Sequence, residues 1–519
     1  MITPASKQRN EYLSLLAIPL YIALCLFLLP AFKEIIDPDD TAYLKIADRY
    51  ASGDWKLAIN GMWSPLNSWL AAILYPLGIK SVLLFKYLNI AFGSIALLAI
   101  RSLIRKSAIS PRYHFLALVG LIPFCTFATY HELAADWLQC TVILVYLNLI
   151  FSPNYSRSYL YPLLCGVLGA LAYYAKYYNF HFFWLHFIVA NFYWFYQQED
   201  KKLLKRFYTF TATGIVVLVL LAIPWILLLH HKYGFYKLNY TGVFDLSWSL
   251  DQNTLTKHTK ALLMPTLPGS PSFLEDPIWH KHQFVSPFTS WPFFRRQIAI
   301  SMMAVASFFE TLQVYSTLLV ALTAFCLFRF FNGGYRTRSF ETSAMLVFLT
   351  LPAGYFLFHF EPRFLWPLCL LGYILGLQLI ETMVWPRISS KWLQWGVAVF
   401  FVITFSVKPV LDLFGNIDRD DEVTKWSEDL QPLHLQGTFI ANTNQNKIMR
   451  LAYLTHMSLA VYRVWDVQTD ALIDDIHTYK VNYYFEFNDG RPLLPYEVTR
   501  QLAEVTGGKF PYLKVYRLY

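Results

Sequence analysis

Asp37-Pro38-Asp39-Asp40-Thr41-Ala42-Tyr43 follows directly on an apolar run from about Tyr12 to Phe32. Crossing a bilayer takes about 20 apolar residues, so that run is long enough to span one. A pair of adjacent carboxylates therefore stands immediately outside the first span. Pro38 stops any helix before it. Asp39 or Asp40 can then cap a new helix, Thr41 to Ala51, with Tyr43, Ile46, Ala47 and Tyr50 on its apolar face. Position alone leaves two readings side by side. One is a cap on a helix lying on the membrane surface. The other is a carboxylate held at the lipid–water boundary, where a general base could meet a lipid-linked substrate.

The composition decides that a membrane is involved. Of 519 residues, 56% are hydrophobic and 18% aromatic, and only 15% are charged, against roughly 25% in soluble domains. The formal net charge of +9 is best read as loop charge that sets topology, with attraction to anionic membrane lipids as a by-product, and not as a nucleic-acid footprint. Cys25, Cys125, Cys140, Cys165, Cys326 and Cys369 all fall inside apolar runs without CxxC spacing, so they read as small buried hydrophobes. Lys7 and Arg9 precede the first span and no small-residue cleavage site follows it, so this helix is expected to remain uncleaved.

Apolar runs of spanning length recur near 12–32, 80–100, 113–130, 133–151, 159–178, 180–196, 208–230, 298–328, 341–359, 363–384 and 392–408, about eleven in all. Counting spans puts the basic gaps on one side, among them Arg101, Arg105 and Lys106, then Lys201 to Arg206, then Arg336 and Arg338. By the positive-inside tendency that side, with the N-terminus, is cytoplasmic. The other side receives a first loop, 33–79, a long segment, 231–296, and everything after Pro409. Asp136, Lys176, Glu361 and Arg363 cluster at that edge. Ionisable groups beside a span are costly and mark a functional site by default. Each has a plainer role available: a snorkelling lysine, a proline-led helix start at Glu361-Pro362, a structural pair at Asp136. Asp48 and Asp54 are expected to face water.

The segment 231–296 is rich in Pro and Trp and too long for a plain connection, which suggests a lid or a surface-lying element. The chain divides into a membrane domain, 1–409, and a small α/β domain, 410–519. In the latter, short strands near 438–441, 460–464, 481–485 and 514–517 alternate with helical patterns near 445–457, 469–479 and 495–506. No P-loop or G-x-G-x-x-G stretch indicates a nucleotide.

Four pieces in order resemble a family. They are Asp39-Asp40-Thr41-Ala42-Tyr43 with Ala51-Ser52-Gly53-Asp54-Trp55 and Ser64-Pro65; Glu132-Leu133-Ala134-Ala135-Asp136; Leu171-Ala172-Tyr173-Tyr174-Ala175-Lys176; and His359-Phe360-Glu361-Pro362-Arg363-Phe364-Leu365-Trp366-Pro367. The pattern is similar to that of the C-type (GT-C) glycosyltransferases, nearest to the aminoarabinose lipid A transferases and the protein O-mannosyltransferase-like enzymes. Where the aminoarabinose enzymes carry Glu-Lys before the proline of the first loop, Trp63-Ser64 stand here, so donor sugar and acceptor do not carry over. The resemblance implies a polytopic α-helical membrane protein of GT-C fold, in the plasma (bacterial inner) membrane, with juxtamembrane helices in the first outer loop and an extracytoplasmic C-terminal domain.

The resemblance also implies a chemistry. A sugar moves from a polyprenyl-phosphate donor to a lipid, glycan or protein acceptor. The role of general base falls to Asp39, or else Asp40. Lys176 and Arg363 are implied to bind the donor phosphate, and Asp136, Glu132, Glu361, His359 and Tyr43 to orient substrate or cations. The resemblance fixes no cofactor. Oxygen ligands at Asp39 and Asp40 would suit Mg2+ or Mn2+, whereas the family has no site to match His230, His231, His280 and His282. Two other classes remain in play: a lipid or polysaccharide transporter, expected to show internal repeats that are absent here, and a non-catalytic membrane assembly subunit.

Overall fold

The computed structural model describes residues 11–196, 201–251, 261–277, 284–334, 339–357, 360–417, 421–462 and 469–519. Seven of its helices are long and apolar enough to cross a membrane: Glu11–Phe32, Ser81–Lys106, Pro111–His131, Leu204–Tyr233, Trp291–Tyr315, Pro362–Arg387 and Lys391–Gly415. Three further expected spans are helical but short, Asp136–Ile150, Leu160–Ala175 and Phe340–Thr350, and a fourth is the 18-residue helix Asn179–Tyr196. The shortening has local causes. Glu132 leaves the helix in an extended conformation, and the backbone N–H groups of Leu133 and Ala134 turn to the Asp40 carboxylate at 2.8 Å each. Likewise Lys176 is extended, and Asn179 caps the helix behind it by donating to the Ala172 carbonyl at 2.9 Å.

The expected single span 298–328 is two helices, Trp291–Tyr315 and Thr317–Phe331, parted at an extended Ser316 whose hydroxyl bonds that of Thr404 at 3.0 Å. Glu310, Gln313, Ser316 and Thr317 interrupt the apolar run around the break, but a window of spanning length averages over them. The last helix also differs: Lys391–Gly415 runs through Pro409, where the domain boundary was expected.

Helix ends sort by charge. At one end of the bundle Arg105 pairs with Glu11 (3.7 Å), Lys106 donates to Asn148 (2.6 Å) and Arg329 pairs with Glu341 (3.3 Å). At the other end lie the first-loop helices Pro38–Ala51 and Leu66–Leu74, and above them the C-terminal domain.

That domain is built on a mixed five-stranded sheet. In spatial order its strands are Ser458–Leu459, Thr438–Ala441, Tyr483–Phe487, Leu513–Arg517 and Ala503–Glu504, with the first two pairings parallel and the last two antiparallel. Alternation along the strands serves two cores. Phe439, Ala441, Phe485 and Val515 face Trp426, Ile448 and Leu451, while Ile440 and Tyr484 face Leu472 and Ile476. The expected helix 495–506 is a four-residue turn, Tyr496–Thr499, followed by a strand. Gly507 and Gly508, both at positive φ (59° and 68°), turn the chain back so that this strand pairs with Leu513–Arg517.

The described part of segment 231–296 is fastened on three sides, which does not suit a lid. Leu262–Leu263 pairs with Val461–Tyr462, so the expected strand at 460–464 serves this segment and not the main sheet. Asp475 accepts from Ala261 N–H (2.6 Å) and Leu262 N–H (2.9 Å). On the first-loop side Arg49 pairs with Glu275 (2.5 Å), and within the segment Lys232, at the end of the helix Lys201–Tyr233, pairs with Asp276 (2.7 Å).

Candidate active site

The helix Pro38–Ala51 starts three residues earlier than the sequence suggests. Asp37 is its cap, with Asp40 answering in a capping box by accepting from the Asp37 N–H at 2.7 Å. Asp40 Oδ1 takes the two N–H groups of Leu133 and Ala134, and the residue is fully buried. Burial pushes its carboxyl up to about 7, with the Asp37 charge adding to the rise and the backbone donors and Lys86 opposing it. Asp40 is thus a clamp between the first loop and the bundle. Three of its roughly four lone-pair sites take backbone N–H groups, and it does not line the cavity that Asp39 faces. Among the described residues no group of three or more His, Cys, Asp and Glu is placed to hold an ion.

Asp39, one position earlier, points into a cavity of about 670 Å3. Four stretches far apart in sequence meet there. Arg363, in a short 3-10 turn that Pro362 opens, donates from Nη2 to Asp39 Oδ2 at 2.9 Å and from Nη1 to Glu132 Oε2. Its Nε lies 2.6 Å from Glu361 Oε2 and 3.6 Å from Asp136 Oδ2. Lys176 donates to the other oxygen of Asp136 and sits 3.7 Å over the Phe364 ring centre. The two cations thus share one carboxylate. Exposure divides the anions: Glu132 and Asp136 side chains are 1% and 4% exposed, Asp39 and Glu361 31% and 33%.

Tyr43 lines the same cavity, edge-on to Trp63 at 5.3 Å between ring centres, and burial raises its phenol above the ordinary value. The fold therefore brings Asp39, Tyr43, Glu132, Asp136, Lys176, Glu361 and Arg363 together and turns Asp40 away. His359, His280 and His282 lie outside the described residues. Asp48, expected in water, instead accepts from Tyr75 (2.6 Å) and Ser81 (3.2 Å).

Sequence reading missed the cavity's far wall: Lys237, Asn239, Asp245 and Trp248, on and before the helix Thr241–Leu250, with His181 and Tyr355 beside the cage. For the four in segment 231–296 the only signal was that the segment is too long for a connection. Arg49, Glu275 and Asp276 were missed as well, because pairs 226 positions apart leave no local pattern.

No family model and no curated protein matches the sequence. Solved structures do match, over almost the whole chain. The crystal structure of ArnT from Cupriavidus metallidurans bound to undecaprenyl phosphate superposes with a TM-score of 0.58 at 13% identity, covering 96% of this chain and 97% of that one. The fold is that of the GT-C glycosyltransferases. A second GT-C neighbour is the archaeal oligosaccharyltransferase AglB from Archaeoglobus fulgidus, in complex with an inhibitory peptide and a dolichol-phosphate. It gives a TM-score of 0.53 at 10% identity, over 92% of this chain and 69% of that one. Seven helices long and apolar enough to span imply an integral membrane protein.

Proposed function

We propose that the protein is a membrane glycosyltransferase that takes a sugar from a polyprenyl-phosphate donor and passes it to an acceptor hydroxyl or phosphate on a lipid, glycan or protein. The observation that carries this reading is the cage itself: two cations on a shared carboxylate, with a cavity-facing carboxylate 2.9 Å from one of them. Undecaprenyl phosphate and dolichol-phosphate in the two similar structures support the donor class.

The chemistry follows from charge. Asp39 accepts the proton of an acceptor hydroxyl as its oxygen bonds to the anomeric carbon. The bond from that carbon to the phosphate oxygen breaks, and its electron pair leaves on the lipid phosphate. Lys176, a point charge, and Arg363, a fork, stabilise the charge that appears there. The donor is a lipid, so no nucleotide fold is needed. The basic helix ends face the cytoplasm in this reading, and the cage and C-terminal domain lie outside it. A transporter fits less well. The cavity is capped by a segment held with buried ion pairs, and the charges sit at one end of the bundle instead of its middle.

Mass spectrometry of lipids that co-purify with the full chain from native membranes tests the donor class. A polyprenyl phosphate or its glycosylated form is expected from wild type and is lost with Arg363→Ala. Equal recovery from both would contradict the assignment.

A further inference from the structure

Every nitrogen of Arg363 faces a carboxylate, so an arriving phosphate has to displace something. The partners are not equivalent. Nη1 is held by Glu132, 1% exposed, on a backbone pinned by Asn89, which donates to the Glu132 carbonyl at 2.9 Å. Asp136 is 4% exposed and already tied to Lys176. Neither can leave without abandoning a buried charge, which is strongly unfavourable. Nε and Nη2 form the side-on edge of the guanidinium, the edge that takes a phosphate through two parallel hydrogen bonds. On that edge Nη2 donates to Asp39, while Nε meets Glu361 at 2.6 Å as an ion pair without an aligned hydrogen bond, and both acids are part-exposed on the cavity.

We propose that Glu361 is the displaceable partner of Arg363, that Glu132 is the positioning residue that keeps the guanidinium in place, and that a lipid phosphate docking on the vacated edge releases Asp39. Donor binding then frees the base, because the contact that holds Asp39 in the resting site is one the phosphate takes over. Asp39 is free to accept a proton only when a leaving group is in place. The exchange involves no covalent step; one phosphate replaces two carboxylates on one edge. It rests on the reading of Arg363 as a phosphate ligand.

The test is the affinity of the full-length protein, in lipid nanodiscs, for undecaprenyl phosphate. Removing a competing partner raises the fraction of sites ready to bind, and apparent affinity rises with that fraction. Glu361→Gln is therefore expected to tighten binding by roughly threefold or more, and Glu361→Ala to do the same. Glu132→Gln removes the same formal charge from the buried side and is expected to give no tightening. Equal tightening by Glu132→Gln would make the effect one of net charge, and no tightening by either Glu361 variant would remove the exchange; either result overturns the proposal. Arg363→Ala separates the two levels. If it binds as wild type, the phosphate-site reading fails. If it loses binding while Glu361→Gln stays at wild-type affinity, only the exchange fails.

Discussion

Two groups of ion pairs lie at the same end of this molecule and do different work. In the roof, Arg49 with Glu275 and Lys232 with Asp276 are sealed: the acids are 0% exposed and the bases 6%. Each is enclosed by further hydrogen bonds, Arg49 Nη2 to the Pro268 carbonyl at 3.0 Å and Tyr233 Oη to Asp276 at 2.9 Å. In the cage, Lys176 and Arg363 are 21% and 15% exposed, two of their acids are open to the cavity, and one acid is shared. The same residue types yield a rivet where water is shut out from the principal acids, although Arg49 also lies 3.4 Å from the part-exposed Asp54. They yield a binding site where two of the acids stay open and a cavity adjoins. Exposure, not the presence of charge, separates structure from function here.

The contrast can be broken by substitution. The largest expected effect is Asp39→Asn, which removes a base at little structural cost: transfer falls by about 10²–10⁴-fold with an unchanged melting temperature. Near-full turnover in purified Asp39→Asn would remove Asp39 from the chemistry. In the roof, Glu275→Ala leaves the buried Arg49 with only the part-exposed Asp54, at 3.4 Å, as a charge partner, and is expected to cost up to about 3–5 kcal/mol of stability, read as a lowered melting temperature. An unchanged melting temperature would mean that the sealed pair is not a rivet. A smaller effect sharpens the boundary between the groups. Asp40→Asn puts an amide where the carboxylate accepts three backbone N–H groups, so one donor meets a donor. That is expected to cost about 1–3 kcal/mol, making Asp40 a stability residue beside a catalytic neighbour. If Asp40→Asn stops transfer at wild-type stability, the clamp assignment fails.

The cage was legible in the sequence because ionisable residues at the ends of apolar runs stand out against a background that penalises them. Asp136, Lys176, Glu361 and Arg363 each sit at such an end, and matching depth suggested a shared cavity. The divergence of Asp39 and Asp40 was not legible. Adjacent carboxylates look alike in a sequence, and what separates them is a pair of backbone N–H groups at Leu133 and Ala134, 93 and 94 positions from Asp40. The roof was hidden for the same reason of distance: Arg49 reads as the polar face of an amphipathic helix, and Glu275 as a loop acid. The break at Ser316 carries a polar signal, Glu310, Gln313, Ser316 and Thr317, that a window of spanning length averages away, and the hairpin at Gly507-Gly508 was overlooked in favour of a helical pattern. Local chemistry marked the site; long-range pairing marked its supports.

The most direct test of the shared site is a double-mutant cycle on undecaprenyl phosphate affinity, with Lys176→Ala, Arg363→Ala and both together. Two cations on one carboxylate and one phosphate act as a unit, so each single substitution should weaken binding strongly and the pair should lose much less than the product of the two. Independent, multiplicative losses, or wild-type affinity in either single variant, would contradict it.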